Sequence, residues 1–211
     1  MWDRLQTRGE EVANSVSHGV GFVAAALATP LLLQKSVAKG ALGIVGVSIF
    51  SLTMLLLYLW STLYHAFPHS RVKRVFRVFD HSSIFLLIAG TYTPFTLLVL
   101  PPAWGWTLFG LVWALAAFGI VLKSVQPVKS SRLSTILYIG MGWLAVVAVK
   151  PLVTHLPLAG LLWLLLGGAF YSLGIIFFAT DHRVRYHHFV WHLFVLAGTV
   201  CHVVTIWKFV L

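Results

Sequence analysis

Uninterrupted apolar stretches of about 20 residues recur along the whole chain, and each is long enough to cross a hydrocarbon core of about 30 Å as an α-helix. No other feature limits the fold so strongly. Backbone polar groups in lipid must be satisfied within the protein, so only helices and closed barrels span a membrane. The alternating polar and apolar residues of a barrel strand are absent. Mean hydropathy is +0.91 and 9% of residues are charged, against roughly a quarter in soluble domains. The expected fold class is therefore an all-α membrane protein.

Seven spans are expected, at residues 17–34, 42–66, 81–100, 104–122, 133–151, 157–179 and 187–207. Short connections separate them, two of which carry clear punctuation, Pro101-Pro102 and Gln126-Pro127. Without linkers, repeats or low-complexity tracts, residues 1–211 read as a single seven-helix transmembrane bundle opened by a short cytoplasmic segment, 1–16. The lone Cys201 leaves no internal disulfide, and residues 1–15 are too polar for a signal-peptide core.

Orientation follows from the preference of Lys and Arg for the cytoplasmic side. With the N-terminus inside, 11 of the 15 basic residues lie inside: Arg4, Arg8, Arg71, Lys73, Arg74, Arg77, Lys123, Lys129, Arg132, Arg183 and Arg185. Lys35, Lys39, Lys150 and Lys208 lie outside. An odd number of spans then places the C-terminus outside. The same bias accounts for the net charge of +10 without a nucleic-acid partner, since no basic run is long or interleaved with aromatics. Trp104, Trp106 and Trp113 read as lipid contacts and interface anchors.

This topology gathers polar residues at one depth. His65 lies at the inner end of span two, Asp80 opens span three, His188 and His192 occupy the first turns of span seven, and His18 begins span one. Ionisable groups within a membrane are costly and mark function. His188 and His192, four apart, project from one helix face, a spacing that lets two imidazoles hold one metal ion. His65 is the best third ligand. Three protein ligands leave a fourth position open, which is the catalytic rather than the structural arrangement of zinc. Ser61, one turn before His65, can orient a ligand, a water or an oxyanion. Asp80 can act as a general base or orient a histidine from behind.

Structural readings stand beside these. The H-x-x-x-H pair can be a structural pairing or an interfacial anchor. Asp80 can cap span three, with Ser83 in its first turn. Ser61 can bond back to its own helix or pack a helix contact. His69, His155 and His182 are expected in solvated loops, and His202 lies too far along span seven to share the metal. His81 and His187 adjoin the candidates, and a rotated face would exchange them.

Four stretches resemble the motifs of the bacterial hemolysin III family: Glu11-Val-Ala-Asn14-Ser-Val-Ser-His18, Ser61-Thr-Leu-Tyr-His65, the block running from Asp80 to Pro94, and His188-Phe-Val-Trp-His192. The resemblance covers essentially the whole chain. That family lies within the adiponectin and progestin receptor (PAQR) family and is distantly similar to alkaline ceramidases. The resemblance implies Zn2+ near the cytoplasmic face of the bacterial inner membrane, held by His65, His188 and His192. It further implies that Asp80 acts on a water and that Ser61 supports the site, while the long cytoplasmic domain of the receptor branch is not expected. Glu11, Asn14 and His18 share a helix face and would line or support the site, although a helix-end role suits the acidic residues as well.

Two functions follow as expectations. One is a zinc-dependent hydrolase of a lipid amide or ester, serving membrane lipid homeostasis, with the lipid entering sideways. The alternative is a receptor-like sensor of the membrane with structural zinc. A lytic pore is disfavoured, because few polar residues lie on the spans and no charged helix face lines a channel.

Overall fold

The computed structural model describes residues 6–68, 70–125 and 131–211, with the backbone alone at 131 and 132. Arg4, His69, Gln126, Pro127 and Lys129, and the side chain of Arg132, lie outside the described residues. Among the described residues every element is helical: α1 (Arg8–Ser36), α2 (Gly40–Ala66), α3 (Arg71–Leu98), α4 (Pro102–Val125), α5 (Ser131–Gly142), α6 (Val149–His155), α7 (Leu158–Thr180) and α8 (His187–Thr205). Short 3-10 turns, Val37–Lys39 and Leu144–Ala148, join α1 to α2 and α5 to α6, and a π-helical turn, Ile206–Val210, ends α8.

Among the described residues, five stretches are long and apolar enough to cross a membrane: 8–66, which holds both α1 and α2, then 102–125, 133–155, 158–180 and 187–210. Helix α3 falls outside that set; its first turns are basic, and Asp80, Ser82, Ser83, Thr91, Thr93 and Thr96 dilute the apolar residues that follow.

Two helices begin earlier than the hydropathy implies. A capping box starts α1 at Arg8: the Thr7 hydroxyl accepts from the Glu10 N–H at 3.3 Å and Glu10 Oε2 accepts from the Thr7 N–H at 2.9 Å. Ser70 caps α3, accepting from the Lys73 N–H at 3.2 Å. Asp80 therefore lies more than two turns inside α3, and its reading as an N-cap is corrected.

Neighbours in sequence are mostly neighbours in space. Helix α1 packs on α2, α2 on α3, α3 on α4 and α7 on α8, while α8 closes against α1. Lipid provides no hydrophobic drive between helices, so close packing depends on small residues. A side chain at Gly90 would strike Thr53 of α2, and one at Gly119 would strike Phe85 of α3. The buried residues of α7 are Gly160, Gly167 and Gly174, seven apart, and they face Phe209, His202, and Trp191 with Phe194. The outward face of α1, including Val12, Val16, Val20, Val23, Leu27 and Leu31, is apolar and exposed.

The expected fifth span is not one continuous helix. Helix α5 stops at Gly142 and α6 begins at Val149. The Tyr92 hydroxyl enters the break, where it meets the Met141 and Gly142 carbonyls at 2.9 and 3.0 Å and accepts from the Ala145 N–H at 2.7 Å. Irregular backbone survives at membrane depth only when the protein supplies such partners.

Candidate metal centre

The last turn of α2 carries His65, and the first two turns of α8 carry His188 and His192. All three are buried, and one ring nitrogen from each lies within 4.8 Å of the others. Their ring centroids stand 5.0 Å (His65–His188), 5.1 Å (His65–His192) and 4.8 Å (His188–His192) apart. The i, i+4 spacing on α8 and the α1–α2 and α1–α8 contacts bring the rings together.

The opposite edge of each ring is already held. His65 Nδ1 donates to Glu11 Oε2 at 2.8 Å, and Glu11 Oε1 accepts from Lys73 Nζ at 2.8 Å. His188 Nδ1 donates to Asp181 Oδ2 at 2.7 Å. His192 Nδ1 meets the Asn14 carbonyl at 3.2 Å and the Ser17 hydroxyl at 3.1 Å. A carboxylate or carbonyl only accepts, so these contacts place the proton on Nδ1 and leave Nε2 as the free lone pair. His65 Nε2 is buried and has no hydrogen-bond partner. Buried nitrogens with this backing suit a divalent metal, and an all-imidazole set suits zinc.

Asp80 and Ser61 stand beside the trio. Asp80 is buried and has His188, Arg77 and Lys123 as electrostatic neighbours, with His81 Nδ1 at 3.4 Å from Oδ2. Ser61 Oγ lies beside the Asp80 carboxylate without a well-formed hydrogen bond. Asp80, Ser61, His18, His188 and His192 line one end of a cavity of about 280 Å³, whose wall continues through Ile84, Phe95, Leu108 and Val195 to His202.

The other histidines stand outside the trio. His18 stacks on His192 at 3.6 Å with the planes 6° apart. His81 bonds the Arg77 carbonyl at 2.9 Å, and His187 bonds Thr180 Oγ1 at 2.7 Å, so neither turns into the trio. His155 closes α6 and bonds the Pro151 carbonyl at 2.8 Å, while His182 accepts from Arg183 Nε at 3.1 Å in the turn before α8. His202 packs against Gly167 and the Tyr171 ring, away from the trio.

Sequence reasoning missed Asp181, the partner of His188, and the pairing of Glu11 with His65. One signal was available: all five acidic residues, Asp3, Glu10, Glu11, Asp80 and Asp181, would fall at the cytoplasmic end under the expected topology. Glu10 belongs to the same assembly, since its Oε1 accepts from the Tyr186 N–H at 2.8 Å. Tyr186 has φ 61°, an uncommon conformation for a bulky residue. That bond ties the turn bearing Asp181 to the start of α1.

Comparison with known proteins adds a family. A model of the family described as "Haemolysin-III related" matches residues 6–203. The chain is 44% identical to "Hemolysin-3" of Bacillus cereus over 191 residues, covering 90% of this chain and 87% of that one. It is 45% identical to "Hemolysin-3 homolog" of Bacillus subtilis (strain 168), covering 90% and 89%. A more distant relative is the human "Monocyte to macrophage differentiation factor", 27% identical over 205 residues and covering 95% and 84%. No solved structure matches the chain significantly.

Proposed function

The chain belongs to the haemolysin-III-related family, and from that premise we propose that it is an integral membrane zinc protein that hydrolyses a lipid amide or ester in membrane lipid homeostasis. One observation carries the reading. Three buried imidazoles, each held through Nδ1, converge where Asp80 and Ser61 open onto a long apolar cavity.

His65, His188 and His192 would hold the ion. When bound in such a site, zinc polarises a carbonyl and lowers the pKa of water to about 7. The chain's own residues supply the rest. The Asp80 carboxylate takes a proton from the attacking water and returns it to the departing nitrogen or oxygen. The new C–O bond to the carbonyl carbon thereby replaces the C–N or C–O bond that breaks. The Ser61 hydroxyl donates to the carbonyl oxygen as negative charge grows there. The cavity wall follows α8 from His188 to His202, a distance of about 21 Å at 1.5 Å per residue. That exceeds half of a hydrocarbon core of about 30 Å and suits a long acyl chain.

In this reading α1, α2, α3, α4, α5 with α6, α7 and α8 make seven crossings of a bacterial inner membrane, with the N-terminus and the metal site on the cytoplasmic side. Lys73, Arg77 and Lys123 stand at the site's end of the bundle, whereas Lys35 lies against the Trp207 carbonyl near the end of the chain. The test is release of fatty acid from long-chain amides and esters by protein reconstituted in lipid with zinc. Turnover in the wild type, lost in a zinc-bearing Asp80→Asn variant, is expected. Zinc-loaded protein that cleaves no member of either class would contradict the hydrolase.

A further inference from the structure

We infer that His18 is a further ligand-contacting residue of this site, donating a hydrogen bond to the carbonyl group of the lipid amide or ester. The inference rests on the proposed ligand class and names a residue that the proposed chemistry leaves unused.

His18 is 3% exposed, and neither of its ring nitrogens makes a well-formed hydrogen bond, although the His192 backbone lies close. Its ring lies flat on His192 and edge-on to Tyr58, with centroids 5.1 Å apart at 77°. Its ring runs parallel to that of His192, and His18 is not among the three histidines whose ring nitrogens gather within 4.8 Å of one another. It lines the same cavity end as Ser61 and Asp80. A buried polar group without a partner is costly and rare unless something in use satisfies it.

The other histidines sharpen the contrast. His65, His188, His192, His81, His155 and His187 all have Nδ1 engaged. Among the described residues, His18 and His202 are the two histidines with both nitrogens buried and unpartnered. The edge of His202 fills the notch at Gly167, a helix-packing position. His18 instead lines the cavity, and Ser61 Oγ on the wall of the same cavity also lacks a well-formed hydrogen bond. A neutral imidazole offers one N–H donor, and a lipid carbonyl is the acceptor that would arrive there.

The test uses full-length, zinc-loaded protein in lipid nanodiscs and two probes of equal chain length, oleamide and 1-octadecene. The wild type is expected to prefer oleamide. His18→Phe and His18→Leu both remove the donor, and whichever folds should lose roughly 3- to 10-fold in oleamide affinity. Zinc content and octadecene binding should remain unchanged, and His18→Gln, which keeps a donor, should lose less. Three results would overturn the inference: unchanged oleamide affinity in a folded, zinc-bearing donor-less variant; loss of zinc from these variants; or a wild type that does not distinguish the two probes. Oleamide that binds with this His18 dependence but is not cleaved would leave His18's role standing and count against hydrolysis.

Discussion

Imidazoles that share one metal must be held still, and here the chain holds them through their far edges. Glu11, Asp181 and the Asn14 carbonyl do this for His65, His188 and His192. Removing such a partner typically costs 10–100-fold in metal affinity, so Asp181→Ala should weaken zinc binding by about that factor without abolishing it. Competition with a fluorescent chelator measures the change, and an unchanged affinity would deny Asp181 this role. Asp80→Asn should keep the metal and lower turnover by about 10²–10⁴-fold, the usual contribution of a general acid–base group. The shared depth of the three histidines was legible because helical spacing and span ends give depth directly, whereas the meeting of their helices was not. Asp181 was not, because its pairing depends on a turn whose path is set by Tyr186 and by the Glu10 carboxylate of a distant helix. Asp80 was placed at a helix start because hydropathy marks where lipid begins, whereas Ser70 starts the helix well before that.

At the scale of elements, two features invite tests of stability. The face that α7 turns to α8 is a stripe of glycines, with His202 filling the notch at Gly167. Gly167→Leu should overpack that contact and cost about 1–3 kcal/mol, seen as a lower unfolding midpoint in detergent. Tyr92→Phe should leave the carbonyls of Met141 and Gly142 and the N–H of Ala145 without this hydroxyl, at a cost of about 1–3 kcal/mol. A midpoint equal to the wild type would show that other groups serve the break. The position and approximate ends of α2, α4, α7 and α8 were readable from apolar length. The break between α5 and α6 was not: Trp143 to Ala148 is as apolar as its surroundings and contains no proline. Its partner, Tyr92, belongs to another helix.

At the scale of the molecule, the bundle places costly polar residues at one end and a long apolar cavity behind them. The proposed seven crossings with the N-terminus inside predict that reporter fusions after residues 70 and 183 act as cytoplasmic, and one after residue 38 as external. The reverse pattern would contradict the orientation. The helical class was legible from composition, because lipid leaves so few ways to satisfy a backbone. Which helices touch was not, because small residues such as Gly90 and Gly119 make contacts that hydropathy cannot register. The proposed metal centre is what the bundle would hold together, and elemental analysis of purified full-length protein tests it most directly. About one zinc per chain is expected in the wild type, with loss of the metal from folded His65→Ala, His188→Ala and His192→Ala variants. A folded wild type that takes up no zinc when it is supplied, or variants that keep the full complement, would contradict a three-histidine centre.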